Sequence, residues 1–169
     1  MMLWRYGKGY KMAKKSDPAK VKYPTVHHEV GANCACFAIR KASRVITQHY
    51  DRYLARVGIK TTQFTLLNAI GANKSISMNA LANGLSMDRT TLTRNLKPLQ
   101  DQGFIALNTS PEDKRVKLFT LTPTGRKLIT TAIRHWRKAH ADFLEIVGDT
   151  RWKRIALDLN AAEQAFAPS

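Results

Sequence analysis

The feature that most constrains the fold is a pair of short helical patterns separated by only a few residues. Leu81 and Leu85 lie at helical spacing in the first segment, and Leu92, Leu96 and Leu99 repeat at i, i+4 and i+7 in the second. Each pattern is amphipathic, so both segments need a shared core. Two short helices joined by so tight a turn predict a helix-turn-helix.

Residues that favour helix ends support this division. Ser77 can cap the first helix, and Ser86 or Asp88 can cap the second. Pro98 lies inside the second helix, where it removes a backbone donor and should bend the last turn. Gly103 is expected to end this helix.

The region before this motif predicts two further helices. Residues at a spacing of 3 and 4 form a stripe that favours one long helix from Asn33 to Gly58. Thr61 or Thr62 then caps a second helix that ends near Gly71. The members of the long stripe are Cys36, Ile39, Ser43, Ile46, Tyr50, Tyr53 and Val57.

The remaining segments predict a small sheet and two C-terminal helices. The "SIS" stretch (75–77) favours a short strand, and 104–109 with 116–121 favours a hairpin around a polar loop. Residues 122–123, Thr-Pro, are typical of a helix start, and a last helix follows 148–149. The fold class is therefore mainly α with a small β-hairpin wing, a winged helix-turn-helix with N- and C-terminal dimerisation helices.

The predicted elements divide the chain into four parts. These are a basic extended arm (1–24), a dimerisation helix (25–57), a winged helix-turn-helix lobe (58–123) and C-terminal dimerisation helices (124–166). Both terminal regions carry apolar stripes that so small a central lobe cannot bury. Burial against a second copy solves this problem, so we expect an intertwined homodimer.

The charge of the chain is strongly positive. It has 28 Lys and Arg against 12 Asp and Glu, which gives a net charge of +16. Residues 1–25 hold seven of these basic residues and one Asp, so the rest of the chain is basic in its own right. An excess of this size favours a polyanionic partner. No stretch approaches the roughly 20 apolar residues of a bilayer span, and the N-terminus lacks an apolar signal region. We expect a cytoplasmic protein with no membrane partner.

Four stretches together resemble the MarR family of bacterial transcription regulators. "LANGLSMDRTTLTRNLKPLQDQGFI" is similar to the family's helix-turn-helix, and "DKRVKLFTLTPTG" is similar to its wing. "GIKTTQFTLLNAI" resembles the helix before the motif, and "CFAIRKASRVITQHYD" resembles the first dimer helix. The resemblance covers about residues 33–166, and it implies a dimeric winged helix that binds double-stranded DNA.

The resemblance implies a DNA-contacting face on the second helix of the motif and on the wing. A helix in the major groove reads base edges, and Arg94 can contact guanine with both of its terminal nitrogens. In the family the wing arginine enters the minor groove and an aspartate holds it, which assigns these roles to Arg115 and Asp113. The other residues assigned to DNA are Arg89, Thr90, Thr93 and Lys97, none of them acidic.

The first helix also resembles the organic hydroperoxide resistance regulators, a branch that senses peroxide through a thiolate. Cys36 and Tyr50 match the reactive cysteine and one of its tyrosine partners, but Arg40 and Thr61 stand where two more tyrosines are expected. Arg40 supplies a positive charge one turn from Cys36. The alternative is that Cys36, on the apolar stripe, is buried as inert packing, and we favour this alternative.

A second kind of signal that the family implies is a small aromatic or lipophilic effector. Its site would lie between the dimer helices and the DNA lobe. The alternative for every candidate residue is a place in the core, and this is the better supported reading. The candidates are Tyr50, Tyr53, Phe64, His135 and Trp136.

Other chemistry finds little support. The chain has no phosphate-binding Gly loop, no G-x-S-x-G elbow and no convincing acid–base pair of carboxylates, so we expect neither an enzyme nor a cofactor. His27, His28, Glu29, Cys34 and Cys36 lie within ten residues, but their spacing matches no standard zinc finger. We therefore expect no metal.

These observations predict a transcriptional regulator, most often a repressor in this family. As a homodimer it would bind a pseudo-palindromic operator and be released by a small-molecule or oxidant signal. The alternative is a basic architectural protein that binds DNA or RNA without a specific site.

Overall fold

The structure is a computed structural model that describes residues 33–166. The predicted basic arm (1–24) and the candidate metal ligands His27, His28 and Glu29 lie outside the described residues. The chain divides into two units with a boundary between Ala42 and Ser43.

The first helix, α1, runs from Ala35 to Leu54 and continues as a 3₁₀ turn, Ala55–Val57. Gly58 follows with a φ of 74°, a left-handed conformation that glycine adopts without strain. The predicted long helix and its glycine end are therefore confirmed.

The second helix, α2 (Thr61–Ala72), begins one residue earlier than a threonine cap would place it. The prediction that Thr61 or Thr62 is the N-cap is wrong, because Lys60 has the extended backbone of that position. Thr61 is instead the first helical residue, and its backbone N–H and hydroxyl both donate to the Asp51 carboxylate at 2.6 Å. Its side chain ties α2 to α1 and is not free to close its own helix.

The remaining elements appear in the predicted order. They are β1 (Ser75–Ser77), α3 (Met78–Gly84), α4 (Arg89–Asp101), β2 (Ile105–Thr109), β3 (Lys117–Leu121), α5 (Pro123–Val147) and α6 (Asp149–Phe166). The three strands form one antiparallel sheet in the order β1–β3–β2. Phe119 of β3 pairs with Ile76 of β1 on one side and with Leu107 of β2 on the other. The predicted hairpin is confirmed, and the short "SIS" strand joins it.

Two of the predicted caps define the helix-turn-helix. The Ser77 hydroxyl accepts the Ala80 N–H at 3.2 Å at the start of α3. Of the two candidates for the cap of α4, Asp88 is the one used, and its carboxylate accepts the Thr91 N–H at 2.8 Å. Side-chain capping satisfies N–H groups that the first helical turn leaves unpaired.

The leucine stripe of α4 is buried in the core of the lobe. Leu92, Leu96 and Leu99 are each at most 1% exposed. They belong to one hydrophobic cluster with residues from α2, the sheet and α5, among them Leu66, Leu67, Ile70, Phe119 and Ala132. Because three leucines one turn apart are held this way, the orientation of α4 about its own axis is fixed, and its opposite face points to solvent.

The fold is therefore mainly α with a small sheet whose hairpin forms a wing, a winged helix-turn-helix with helical regions at both ends. Within residues 33–166, no helix combines the length and the apolar character that crossing a bilayer requires. The same part of the chain contains no group of three or more His, Cys, Asp or Glu side chains placed to hold a metal ion.

Candidate nucleic-acid interface

The solvent face of α4 carries all five residues that the sequence assigns to DNA on this helix. Each of them is exposed, and together they are Arg89, Thr90, Thr93, Arg94 and Lys97. No carboxylate of the described residues forms an ion pair with Arg94. The structure therefore presents a free guanidinium in the middle of a helix face whose orientation the core fixes.

The start of α4 is ordered by its acidic cap. Hydrogen bonds from the side chain and then the backbone of Thr91 lower the pKa of Asp88 below its usual range. The cap is thus ionised at neutral pH and is lost only as the pH falls through this lowered pKa. One turn on, the Thr93 hydroxyl donates to the Arg89 carbonyl at 2.7 Å. This bond occupies the hydroxyl proton, so Thr93 offers its methyl group and a lone pair to a partner.

Lys97 has an acidic neighbour, Asp101, that is not among the residues assigned to DNA. Its ammonium lies 3.4 Å from the Asp101 carboxylate, one helical turn on. The two side chains are 74% and 61% exposed, so water screens the pair and it contributes about 0–1 kcal/mol. A phosphate can therefore displace Asp101 at little cost.

Asp113 contacts Arg115 through the backbone of the wing loop. Its carboxylate accepts the backbone N–H of Arg115 at 2.9 Å, and its carbonyl accepts the Val116 N–H at 2.9 Å. Among the described residues no ion pair joins Asp113 to the Arg115 guanidinium. Asp113 orders the turn that displays Arg115, and the exposed side chain of Arg115 is left free to reach a partner.

Polar contacts across β2 and β3 support this loop. Lys117 Nζ donates to the Thr109 hydroxyl at 2.6 Å, and the Asn108 amide donates to the Thr120 hydroxyl at 2.9 Å. At the loop itself the Ser110 N–H donates to the Val116 carbonyl at 2.9 Å. Sequence reasoning missed the contribution of Lys117 to the stability of the wing. The cross-strand register of a hairpin places Lys117 opposite Thr109 once the ends of the hairpin are known.

Comparison with known proteins places this geometry in a family. A sequence profile described as the MarR family matches residues 57–116. The organic hydroperoxide resistance transcriptional regulator of Bacillus subtilis is 31% identical over 101 residues, which cover 60% of this chain and 69% of the relative. The regulator SarZ of Staphylococcus haemolyticus is 30% identical over 94 residues, 56% of this chain and 64% of the relative. The chain belongs to the MarR family.

Solved structures agree with this assignment. The M. tuberculosis transcriptional regulator MosR in complex with DNA matches with a TM-score of 0.70 and 35% identity, over 80% of this chain and 100% of that one. A mutant MarR from E. coli complexed with operator DNA has a TM-score of 0.72 at 22% identity, over 79% of this chain and 96% of that one, and it supports the fold alone. MarR-family members are transcriptional regulators and not enzymes.

A second region of this MarR-family chain lies where α1 packs against α5. The Tyr50 hydroxyl and His140 Nδ1 are 2.9 Å apart, and burial raises the pKa of Tyr50. Trp136 stacks between His140 and Phe64, with ring centroids 4.9 Å and 6.3 Å away. Three of the predicted effector residues, Tyr50, Phe64 and Trp136, are thus brought together, but as packed aromatic rings.

The other predicted effector residues have different surroundings. His135 is partly buried, and its Nδ1 has no hydrogen-bond partner in the described part of the chain. Tyr53 donates to the Asp142 carboxylate, which is the main reason that the pKa of Tyr53 is raised. Tyr53 and Asp142 also line a cavity of about 370 Å³ together with Arg52 and Arg56. Tyr53 is therefore beside a cavity, and its hydroxyl is already paired.

His49 is a residue of this junction that sequence reasoning missed. Its Nε2 lies 2.8 Å from the Ala139 carbonyl, and its Nδ1 lies 3.2 Å from an Arg52 nitrogen. A carbonyl can only accept, so Nε2 carries the proton and Nδ1 accepts from Arg52. The imidazole therefore joins α1 to α5. Its partner lies 90 residues away, which no local pattern reveals.

The two cysteines lie in the N-terminal unit and differ in their contacts. The Cys34 sulfur accepts the Phe37 N–H at 3.4 Å at the start of α1. Cys36 is exposed, as are Ile39 and Arg40. The stripe that carries Cys36 is exposed in the single chain, so burial of Cys36 as inert packing stays a prediction that requires the expected dimer.

Proposed function

We propose that this protein is a sequence-specific DNA-binding transcriptional regulator, most often a repressor in its family, that acts as a homodimer on a pseudo-palindromic operator. The observation that carries the proposal is the face of α4. Buried leucines fix the helix, and the opposite side offers an unpaired Arg94 with hydroxyl and methyl groups beside it. A regulator of this kind acts in the cytoplasm, where bacterial DNA is found.

The proposed complex places α4 in the major groove and the wing beside it. Arg94 contacts the O6 and N7 atoms of a guanine, and the methyl groups of Thr90 and Thr93 meet thymine methyls. Lys97 leaves Asp101 for a phosphate. Contacts of this last kind fix the position of the protein on DNA without reading sequence.

The proposed dimer rests on apolar side chains that the single chain leaves exposed. In α1 these include Phe37 and Ile39, at 48% and 50% exposure, and in the C-terminal helices Ile146, Leu157 and Phe166 are 78%, 69% and 89% exposed. Side chains of this kind mark an interface. A two-fold dimer would present two copies of α4 to successive major grooves about 34 Å apart.

The test compares Arg94→Ala with Lys97→Ala on the tightest duplex that the wild-type protein selects from a random library. Arg94→Ala should cost about 1–3 kcal/mol on that duplex and relax the preference at one base pair. Lys97→Ala should weaken selected and random DNA alike. If Arg94→Ala loses as much affinity on random DNA as on the selected duplex, as is expected for Lys97→Ala, then Arg94 does not read a base.

The alternative function, a basic protein that binds DNA or RNA without a specific site, is supported by the net charge of +16. A salt titration separates the two, because a specific regulator should bind its selected duplex about 10³-fold or more above random duplex. A ratio near one at every salt concentration would favour the architectural function.

We also propose that a small aromatic or lipophilic molecule releases the protein from DNA by binding where α1 and α5 meet. The cavity lined by Tyr53, Asp142 and Arg52 supports this site. Oxidation of Cys36 is the rival signal. A thermal-shift screen with aromatic acids, repeated with Tyr53→Phe, would show whether stabilisation depends on this cavity.

A further inference from the structure

The long helix α5 carries a second basic surface, away from α4. Five exposed residues form it, and we call them the basic stripe: Arg126, Lys127, Arg134, Arg137 and Lys138. At 100° per residue they fall on the side of α5 opposite the buried Ala132, Ala139 and Phe143. The stripe therefore points away from the core along its whole length.

The composition of this segment is unusual for a helix that only needs to stay solvated. Between Pro123 and Ala141 the sequence contains no Asp or Glu. Arg134 has like charges three and four residues on, an arrangement that destabilises a helix. In the part of the chain that the structure describes, no carboxylate pairs with any member of the stripe. Arg126 donates to a backbone carbonyl, but the other four charges have no acidic partner among the described residues, although they oppose helix formation.

Helix α6 provides a contrast within the same chain. Its exposed basic residues Arg151, Lys153 and Arg154 lie between Asp149 and Asp158, and Lys153 Nζ lies 2.6 Å from the Asp149 carboxylate. Mixed charges with a local ion pair are typical of an ordinary exposed helix. The unmixed charge of the stripe is therefore a property of α5 and not of the whole surface.

The stripe is continuous with the wing. Arg126 Nη1 donates to the carbonyl of Leu121, the last residue of β3, at 2.6 Å. From Arg126 to Lys138 the helix rises about 18 Å. A DNA strand presents a phosphate about every 3.4 Å along the duplex axis, so about five phosphates match this length. The stripe thus begins where the wing ends and has the length of a short run of backbone.

We propose that the basic stripe binds the phosphate backbone of DNA that flanks the operator, beyond the wing, without reading its sequence. This would give the protein a second DNA contact that strengthens binding only when the duplex extends past the recognised site. The proposal builds on the DNA-binding function proposed above, but it concerns the length of the DNA and not its sequence.

The experiment uses the full chain and two duplexes, one that ends at the selected site and one with long random flanks. The variant Arg134→Gln/Arg137→Gln/Lys138→Gln removes three charges from exposed positions and keeps good helix formers. Wild type should bind the long duplex more tightly, and the variant should lose that advantage. Its slope of log K against log salt on the long duplex should be shallower by about 2.7, three times 0.9 per phosphate. Binding to the short duplex should change much less.

The matched control is Arg151→Gln/Lys153→Gln/Arg154→Gln, which removes the same charge from α6. It should keep the advantage of the long duplex. If both triple variants lose it equally, net charge is responsible and the stripe is not a site. A charge-preserving Arg134→Lys/Arg137→Lys variant should retain the advantage, which separates charge from helix stability.

Other outcomes overturn the proposal. Equal loss on short and long duplexes would place the stripe within the operator contact. Loss of RNA binding or of bridging between two separate duplexes, with flank binding unchanged, would assign the stripe to another partner. If wild type shows no preference for its selected duplex, the proposed regulator function fails instead. The comparison of lengths can then still be made on random DNA.

Discussion

Gly125, at the start of α5, allows a close approach between this helix and the chain that enters β2. A Cβ atom built at this position would overlap the Phe104 carbonyl oxygen and lie 2.9 Å from its carbon. Real Cβ atoms essentially never come within 3.0 Å of another heavy atom, and here the obstacle is backbone. The Leu-Thr-x-x-Gly ending of the wing therefore has a steric reason, and Gly125→Ala tests it.

The cost of this substitution follows from the bonds at the junction. The Thr122 N–H donates to the Phe104 carbonyl at 3.1 Å, and the Thr122 hydroxyl donates to the Gly103 carbonyl at 2.7 Å. Moving α5 away to admit a methyl group would break two or three such bonds, each worth about 1 kcal/mol. The higher helix propensity of alanine stabilises the folded state of the variant by about 0.5–1 kcal/mol. We expect a net loss of about 1–2.5 kcal/mol.

The assay is urea denaturation at a fixed protein concentration, since dimerisation makes stability depend on concentration. The matched control is Gly84→Ala at the end of α3, where an added Cβ meets nothing within 4 Å. The control should be unchanged or slightly more stable. If Gly125→Ala is as stable as Gly84→Ala, the junction yields without cost and the reasoning is wrong.

Three further outcomes are expected. Arg115→Ala should weaken binding most on duplexes with a narrow flanking minor groove, measured by fluorescence anisotropy. Asp113→Ala should reproduce part of this loss, because the wing turn loses its backbone bond. Identical effects on duplexes with wide and narrow grooves would contradict this prediction. Cys36 should react slowly with an alkylating agent in the native dimer, where the partner covers the α1 stripe, and DNA binding should survive mild peroxide. If peroxide instead causes a rapid loss of binding that Cys36→Ser prevents and Cys34→Ser does not, the protein is a redox switch. Deletion of residues 1–24 should make the salt slope of DNA binding shallower and leave base preference unchanged, as read from selection on random duplexes, whereas a new preferred sequence would show that the arm reads DNA.

The sequence alone was sufficient to predict the helices and strands and most of the residues at which they end. The i, i+4, i+7 spacing of Leu92, Leu96 and Leu99 predicted both α4 and its buried face. Thr122 followed by proline predicted the start of α5, where the Thr122 hydroxyl accepts the Gly125 N–H at 3.0 Å. These interactions join residues within one or two helical turns, so a short stretch of sequence contains both partners.

Polar partners between distant segments were decided only by the tertiary structure. Thr61 of α2 bonds Asp51 of α1 instead of closing its own helix. Ser86, with a φ of 49°, donates to Glu163 of α6 at 2.6 Å across 77 residues. Which of several nearby polar groups a hydroxyl or a carboxylate bonds depends on how the helices pack. The sequence pattern does not specify this packing.

The α1 stripe shows the same limit for apolar residues. The spacing of Cys36, Ile39 and Ile46 correctly predicted one face of a helix, and all three side chains are exposed in the single chain. Periodicity determines which side chains share a face, because helix geometry is local. What covers that face depends on a surface supplied by another part of the fold or by a second chain, and only the tertiary structure shows that this chain does not supply it.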